Sequence, residues 1–336
     1  MNTSIRFISM SLLTIVFFLL VSGCKKSESP TSAGTGTTYP VNITIVNLLG
    51  QPQGGALVAL KNAPSNDAIF QAYTDSAGKA TLQAPAGTQT FTAEIGSAFL
   101  TQFQVNVSAT AANNPAPITL TQNAAVKVLV VTADAEQLED VISDPKIGFT
   151  TFSTVYIDTL KDMAIADSAK LFTYLQQFTL VFSDCDGSTE GGADYANLSR
   201  VYGRYIQAGG KMYGGHYNYY HLQRIWTSSY RTAATGGDAT TDSLVLVDTD
   251  ISKYVGFSVA KWNSTDYRGL SGYELFSDLP ANAKMYGKIK GVSPDVFVIV
   301  ENHLGSGKYL WTNYHNQDIK DDPKLIKLVQ YFLKSL

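Results

Sequence analysis

The run from Ala125 to Thr132, AVKVLVVT, is apolar at almost every position. A strand with one wet face alternates; a continuous apolar run belongs to a strand buried on both faces, which is the situation of a parallel sheet with helices on either side. The residues that follow keep the matching rhythm. A helix is predicted from about Asp167 to Phe178, then a strand at Thr179–Ser183. A second helix, Asp194 to Gln207, carries Leu198, Val201, Tyr202, Tyr205 and Ile206 at helical spacing and is stopped by Gly209 and Gly210. Strands are expected at Lys211–Gly215, Phe297–Val300 and Tyr309–Thr312, and a closing helix from Pro323 to Leu336 bears Leu325, Leu328, Val329 and Phe332. Residues 125–336 therefore read as a doubly wound, mostly parallel α/β sheet. In such sheets ligands bind in the crevice beyond the carboxyl ends of the strands, here Ala133–Asp134, Asp184–Gly187, Gly215–Asn218 and Asn313–Gln317.

Ahead of this part, residues 39–121 show short alternating strands broken by turns. Val41 to Val46 alternates before a Gly50-Gln51-Pro52 turn, Ala56 to Leu60 follows, and Tyr73 to Leu82 reads as strand, turn and strand. The segments V-x-I-x-I-V, G-x-P-x-G-G-A-x-V, T-D-x-x-G-K-A-x-L and P-A-G-T-Q-T-F resemble the carboxypeptidase regulatory-like domain, a small all-β transthyretin-like sandwich. The resemblance implies a spacer or docking module without chemistry of its own. This segment has no His or Cys, and no catalytic residue is assigned to it. A Pro-containing bridge, Asn113 to Pro117, leads on to the α/β part.

The N-terminus carries a different signal. An uncharged apolar run from Ile8 to Val21 ends in Val21-Ser22-Gly23-Cys24 and is followed by Lys25 and Lys26. This resembles a bacterial lipoprotein signal: a short hydrophobic segment, small residues for a peptidase, and a thiol to accept a lipid. The run is shorter than the roughly 20 apolar residues of a spanning helix. Residues 1–23 are expected to be removed, Cys24 to be lipidated, and residues 24–38, rich in Ser, Thr, Gly and Lys, to form a flexible tether. The expected location is the bacterial cell envelope, lipid-anchored on the periplasmic or surface face of the outer membrane, with the membrane reached through the lipid on Cys24.

The formal charge of −3 over 336 residues offers nothing basic enough for nucleic acid. Cys185 is the second of two cysteines, so with Cys24 acylated no disulfide framework is possible. Its neighbours Asp184 and Asp186 carry negative charge that disfavours a thiolate, and a buried, inert Cys185 is the expectation. The glycine-rich stretch Gly187–Gly192 lacks the Lys-Ser/Thr ending of a phosphate-binding loop, and Glu190 would repel phosphate.

All four histidines fall after residue 125. His216, in Tyr213-Gly214-Gly215-His216-Tyr217-Asn218, stands where strand, sharp turn and helix would meet, the arrangement of a nucleophile elbow. His315 lies in Thr312-Asn313-Tyr314-His315-Asn316-Gln317, just after the penultimate strand. In this frame the chain resembles the class I glutamine amidotransferase-like superfamily, with its flavodoxin-like sheet, and within it the ThuA-like branch. That branch has G-x-H at the elbow and a second His after a segment resembling Gly305-Ser306-Gly307-Lys308-Tyr309-Leu310-Trp311. The amidotransferase elbow reads G-x-C-x-G and the later segment F-H-P-E. Here His216 takes the nucleophile's position, Asn218 that of the following Gly, His315 keeps the base, and Gln317 replaces the acid. Glutamine hydrolysis through a cysteine thioester is therefore not expected, and the resemblance implies that Cys185 does not easily take over, since it sits on the neighbouring strand end, where that superfamily builds a backbone pocket for the oxyanion.

Three readings of His216 and His315 remain open: polar core residues, the lining of a ligand pocket with Asp184, Tyr217, Asn218 and Gln317, or a general acid and base. A metal would need a third ligand, for which only Asp184 or Asp134 offers itself; no metal or cofactor is assigned. His221 and His303 read as structural or exposed. Tyr217, Tyr219 and Tyr220 offer rings that can stack on a sugar, against the plain alternative of helix-on-sheet packing. The leading expectation is an envelope protein that binds a carbohydrate or other polar small molecule. The alternatives are a non-thiol hydrolase or sugar-modifying enzyme using His216 and His315, and a structural or docking component of a surface assembly.

Overall fold

The computed structural model describes residues 37–63, 67–185, 193–227, 231–233, 243–261, 275–289, 297–313 and 325–336. Residues 37–336 form one compact unit. Residues 1–36, which include Cys24 and most of the expected tether, lie outside the described residues, as do Gly187–Gly192, His315, Gln317 and the side chain of Tyr217; Thr38, expected at the tether's end, already belongs to the first strand. No helix among the described residues is long and apolar enough to cross a membrane.

The first strands are β1 (Thr38–Val46), β2 (Leu57–Leu60), β3 (Gln71–Tyr73), β4 (Lys79–Pro85), β5 (Gly87–Ile95), β6 (Phe99–Val107) and β7 (Ile118–Thr119). They make two small sheets, β4-β1-β7 and the antiparallel β3-β2-β5-β6. The alternation seen in the sequence sets their faces: Val41, Ile43 and Ile45 of β1 and Phe91, Ala93 and Ile95 of β5 are buried. The β3–β4 turn closes because Asp75 Oδ1 accepts hydrogen bonds from the amides of Ala77 and Lys79.

The chain continues as β8 (Val128–Thr132), α1 (Leu138–Ser143), β9 (Ser153–Tyr156), α2 (Ile157–Ala166), α3 (Ser168–Leu175), β10 (Leu180–Ser183), α4 (Ala193–Gln207), β11 (Lys211–Gly215) and α5 (Tyr219–Ile225). There follow β12 (Arg231–Ala233), β13 (Ser243–Leu246), α6 (Thr249–Val255), β14 (Val259–Lys261), β15 (Leu275–Asp278), β16 (Lys284–Ile289), β17 (Phe297–Leu304), β18 (Gly307–Thr312) and α7 (Leu325–Ser335). The start of α3 is fixed by Asp167, whose carboxylate caps the amides of Ala169 and Lys170.

One large sheet holds these strands. Its parallel part runs β9-β8-β10-β11-β18. Numbered by their order along the chain, these five read 2-1-3-4-5, the flavodoxin-like order, whose switch point falls between β8 and β10. Past β18 the sheet carries on antiparallel through β17, β16, β13 and β14, with the β12–β15 pair joined to β17. Of this antiparallel part only the strand at Phe297–Val300 is among those expected from the sequence.

The parallel strands are covered on both faces. Leu129, Val131, Val181 and Met212 pack with buried residues of α2, α3, α4 and α5. Val128, Val130, Leu180, Phe182 and Tyr213 share a core with α1, α7 and the two small sheets. A chain of ring contacts, Phe99–Phe149–Phe182–Tyr213, runs from β6 into the large sheet at centroid spacings of 4.9, 5.2 and 5.9 Å. Lys334 of α7 is buried at the same junction. Its Nζ donates to Gln53 Oε1 at 2.8 Å and to the Lys146 carbonyl at 3.3 Å, and lies 4.9 Å from the Phe99 ring centre. The two small sheets are thus packed onto the large sheet.

Candidate functional site

β11 ends at Gly215, and the chain turns through His216–Asn218 directly into α5. His216 sits at φ +40°, the only non-glycine among the described residues with positive φ. That conformation costs about 1–2 kcal/mol and persists only where its surroundings over-determine it. Three side chains do so here. The Trp311 indole N–H donates to the His216 carbonyl at 2.9 Å. Asn218 Nδ2 donates to the carbonyls of Ser183 (3.1 Å), Asp184 (2.7 Å) and Gly215 (3.1 Å), lacing the end of β10 to the turn. The Tyr309 hydroxyl donates to the Asn218 carbonyl at 3.3 Å. Gly214 makes the close approach possible: a Cβ there would collide with the Tyr309 hydroxyl and stand 2.7 Å from Asn218 Cβ.

The parallel register pairs Ser183 with Gly214, so Cys185 and His216 lie two residues further along each strand, side by side. Their contact is direct, Cys185 Sγ to His216 Nδ1 at 3.4 Å, and both are buried. The Cys185 amide donates to Glu136 Oε2 at 3.2 Å. Asp184 faces the other way. Its carboxyl accepts from the amides of Ala133 (3.2 Å) and Leu138 (3.1 Å). Burial, followed by the charges of Glu136 and Glu139, pushes it up to about 9, so it holds a proton at neutral pH. Ser183, fully buried, has a hydroxyl without a hydrogen-bond partner among the described residues.

Of the residues singled out from the sequence, Asp184, His216 and Asn218 converge at the ends of β10 and β11. Asn218 and Asp184 are turned inward, binding backbone groups. His221 is buried on α5, its Nδ1 2.7 Å from the Ser199 hydroxyl, and packs against Tyr195 and Tyr202. His303 is half-exposed and 2.9 Å from Glu301. Tyr195, Tyr202, Tyr205 and Tyr219 are buried in the helix-on-sheet core. Among the described residues no three His, Cys, Asp or Glu side chains are grouped to hold a metal. Sequence reasoning missed Glu136, Ser183 and Trp311. Glu136 follows β8 at the switch point, a position that could have drawn attention to it.

The fold and the turn together define a mixed α/β protein with flavodoxin-like strand order and a histidine at the elbow. No family model matches the chain, and no curated protein does. Solved structures similar to it include a glutamine amidotransferase from Thermotoga maritima, 14% identical over 62% of this chain and 91% of that one, with a TM-score of 0.34. A cytoplasmic protein of Salmonella typhimurium LT2 is 11% identical over 62% of this chain and 100% of its own, TM-score 0.40. A cold-adapted β-galactosidase from Rahnella sp. R3 is 12% identical over 62% of this chain, TM-score 0.34, and the chain spans 31% of that enzyme's length.

Proposed function

We propose that this chain is a lipid-anchored envelope protein whose α/β sheet binds a polar small molecule, carbohydrates being the first class to test, beyond the carboxyl ends of β10 and β11. The observation that carries the reading is His216, held at φ +40° in the elbow between β11 and α5. Strain of this kind clusters at functional sites, and the position is where open α/β sheets take their ligands. The test is thermal unfolding of the chain against panels of sugars, amino acids and divalent metals. A ligand at about 100 times its Kd adds about 2.7 kcal/mol. The shift is expected in the wild type and lost in His216→Asn, which tolerates positive φ but lacks the imidazole. A hit that survives His216→Asn places the ligand elsewhere.

The anchor rests on the apolar run Ile8–Val21 and its junction at Cys24. Expressed in a bacterial host fed a clickable fatty acid, the wild type should take up label and partition into detergent, and Cys24→Ala should do neither. Equal labelling of the two would remove the anchor from the proposal.

A further inference from the structure

We infer that Cys185 and His216 form a nucleophilic thiol–imidazole pair that accepts a small acyl group from an ester. The turn after β11 presents the base, and the thiol comes from the end of the neighbouring strand β10. Sγ and Nδ1 are 3.4 Å apart, and the base is fixed by the strained backbone and by Trp311 and Asn218.

A second feature points to a reacting group. Ser183 ends β10 and Cys185 lies two residues on. The Asp184 amide still bonds the Val131 carbonyl at 2.9 Å, so the extended backbone continues and the two side chains leave the same face. The Ser183 hydroxyl is fully buried without a partner among the described residues. Buried hydroxyls are nearly always hydrogen-bonded. A donor left over beside a thiol can bond the oxygen of an acyl carbonyl, where negative charge develops during attack. The anionic flank that argued for an inert thiol is absent on one side, since Asp184 points to the opposite face and is protonated at neutral pH. Burial of Cys185 and His216 restricts the acyl group to a small one.

In the step proposed, the His216 imidazole takes the thiol proton and the sulfur lone pair attacks the carbonyl carbon. The S–C bond forms, the C–O bond to the leaving alcohol breaks, and the departing oxygen takes the proton back from the imidazolium. The S-acyl cysteine is then hydrolysed by water, which returns the free thiol and releases a carboxylic acid.

The inference rests on the proposed reading in one respect, that the ends of β10 and β11 are the working site. The experiment is p-nitrophenyl acetate mixed with the full chain, read by p-nitrophenolate release and by peptide mass. Expected is a stoichiometric burst, with the acetyl group on the Cys185 peptide, absent in Cys185→Ser and slowed about 100-fold in His216→Asn. Peptide mapping separates Cys185 from Cys24. Iodoacetamide on the wild type gives a check that needs no variant: Cys185 should alkylate faster in the native chain than in urea. Acetyl found only on lysines or Cys24, or alkylation of Cys185 only after unfolding, overturns the inference. Ligand binding without acylation sinks this inference alone; acylation without any bound ligand sinks the binding reading and leaves this one.

Discussion

Asn218→Ala is expected to lower the free energy of unfolding by about 3 kcal/mol and to release the His216 turn. The side chain is 3% exposed, and its amide nitrogen reaches three carbonyls, on Ser183, Asp184 and Gly215. An amide nitrogen has only two hydrogens, so three acceptors share two donors. Truncation leaves carbonyls at the ends of β10 and β11 without that donor, at about 1–3 kcal/mol for each buried group left unsatisfied. Relaxation of His216 from its left-handed conformation returns about 1–2 kcal/mol, which holds the net figure near the middle of the range. Asn218→Asp, of the same shape, should be worse, because it turns an acceptor toward three acceptors. Urea unfolding measures both. A loss below about 1 kcal/mol for Asn218→Ala would mean that the turn is held by other groups. A side chain serving only to contact ligand would leave stability untouched and abolish binding, so the same variant separates the two roles.

The parts of this fold that could be read from the sequence are those where burial on both faces leaves an unambiguous pattern. β8 and β10 are buried at nearly every position, and the sequence marks them as apolar runs. β11 is legible from Gly209-Gly210 ahead of it and from Gly214-Gly215 at its own end, and α4 from its apolar spacing and the same Gly209-Gly210 stop. β9, the edge of the parallel part, reads Ser-Thr-Val-Tyr and is exposed at three of its four residues, so no apolar run announces it. α1 has only six residues, too few to display a helical period. In β17 the strand runs on through Glu301, Asn302 and His303 because the antiparallel hairpin with β18 takes those polar groups: Glu301 is paired with Lys308 and His303. A polar stretch of this kind is indistinguishable from a loop until its partner strand is known.

The elbow itself was legible, since Gly-Gly-His after an apolar strand leaves few conformations for the turn. The contact between Cys185 and His216 was not. The two are 31 residues apart in sequence and meet only because the parallel register sets Ser183 against Gly214. Cys185 is buried, as expected from the sequence, but its two flanking carboxylates are not equivalent: alternate residues of an extended chain leave opposite faces, and Asp184 turns to the amides of Ala133 and Leu138. The packing of the sandwich onto the sheet depends on Phe99, Phe149 and Phe182, which are unremarkable one by one and become a continuous core only when brought together.

The stability of this chain should respond to pH through two buried groups of opposite sign. Asp184 is raised from 3.8 to about 9, first by burial and then by Glu136 and Glu139. The fold therefore keeps a proton that the unfolded chain loses. Its contribution is complete below about pH 4 and is lost as pH climbs through about 9, at about 1.4 kcal/mol per pH unit. Lys334 is lowered from 10.5 to about 7 by burial. Between those values the unfolded chain binds a proton that the fold does not, so this group makes stability rise with pH at the same slope. From about pH 7 to 9 the two nearly cancel, and the separate variants expose them. Relative to Asp184→Asn, the wild type should lose about 4 kcal/mol between about pH 5 and 8. Relative to Lys334→Met, which keeps the volume but drops the bond to Gln53, it should gain between about pH 7.5 and 10. Constant offsets from lost hydrogen bonds fall out, because only the slope with pH is read from urea unfolding. A flat difference for Asp184→Asn would mean that Asp184 is ionised in the fold. An anion would then sit next to Cys185 in sequence, and the nucleophilic pair would have to form its thiolate against that charge.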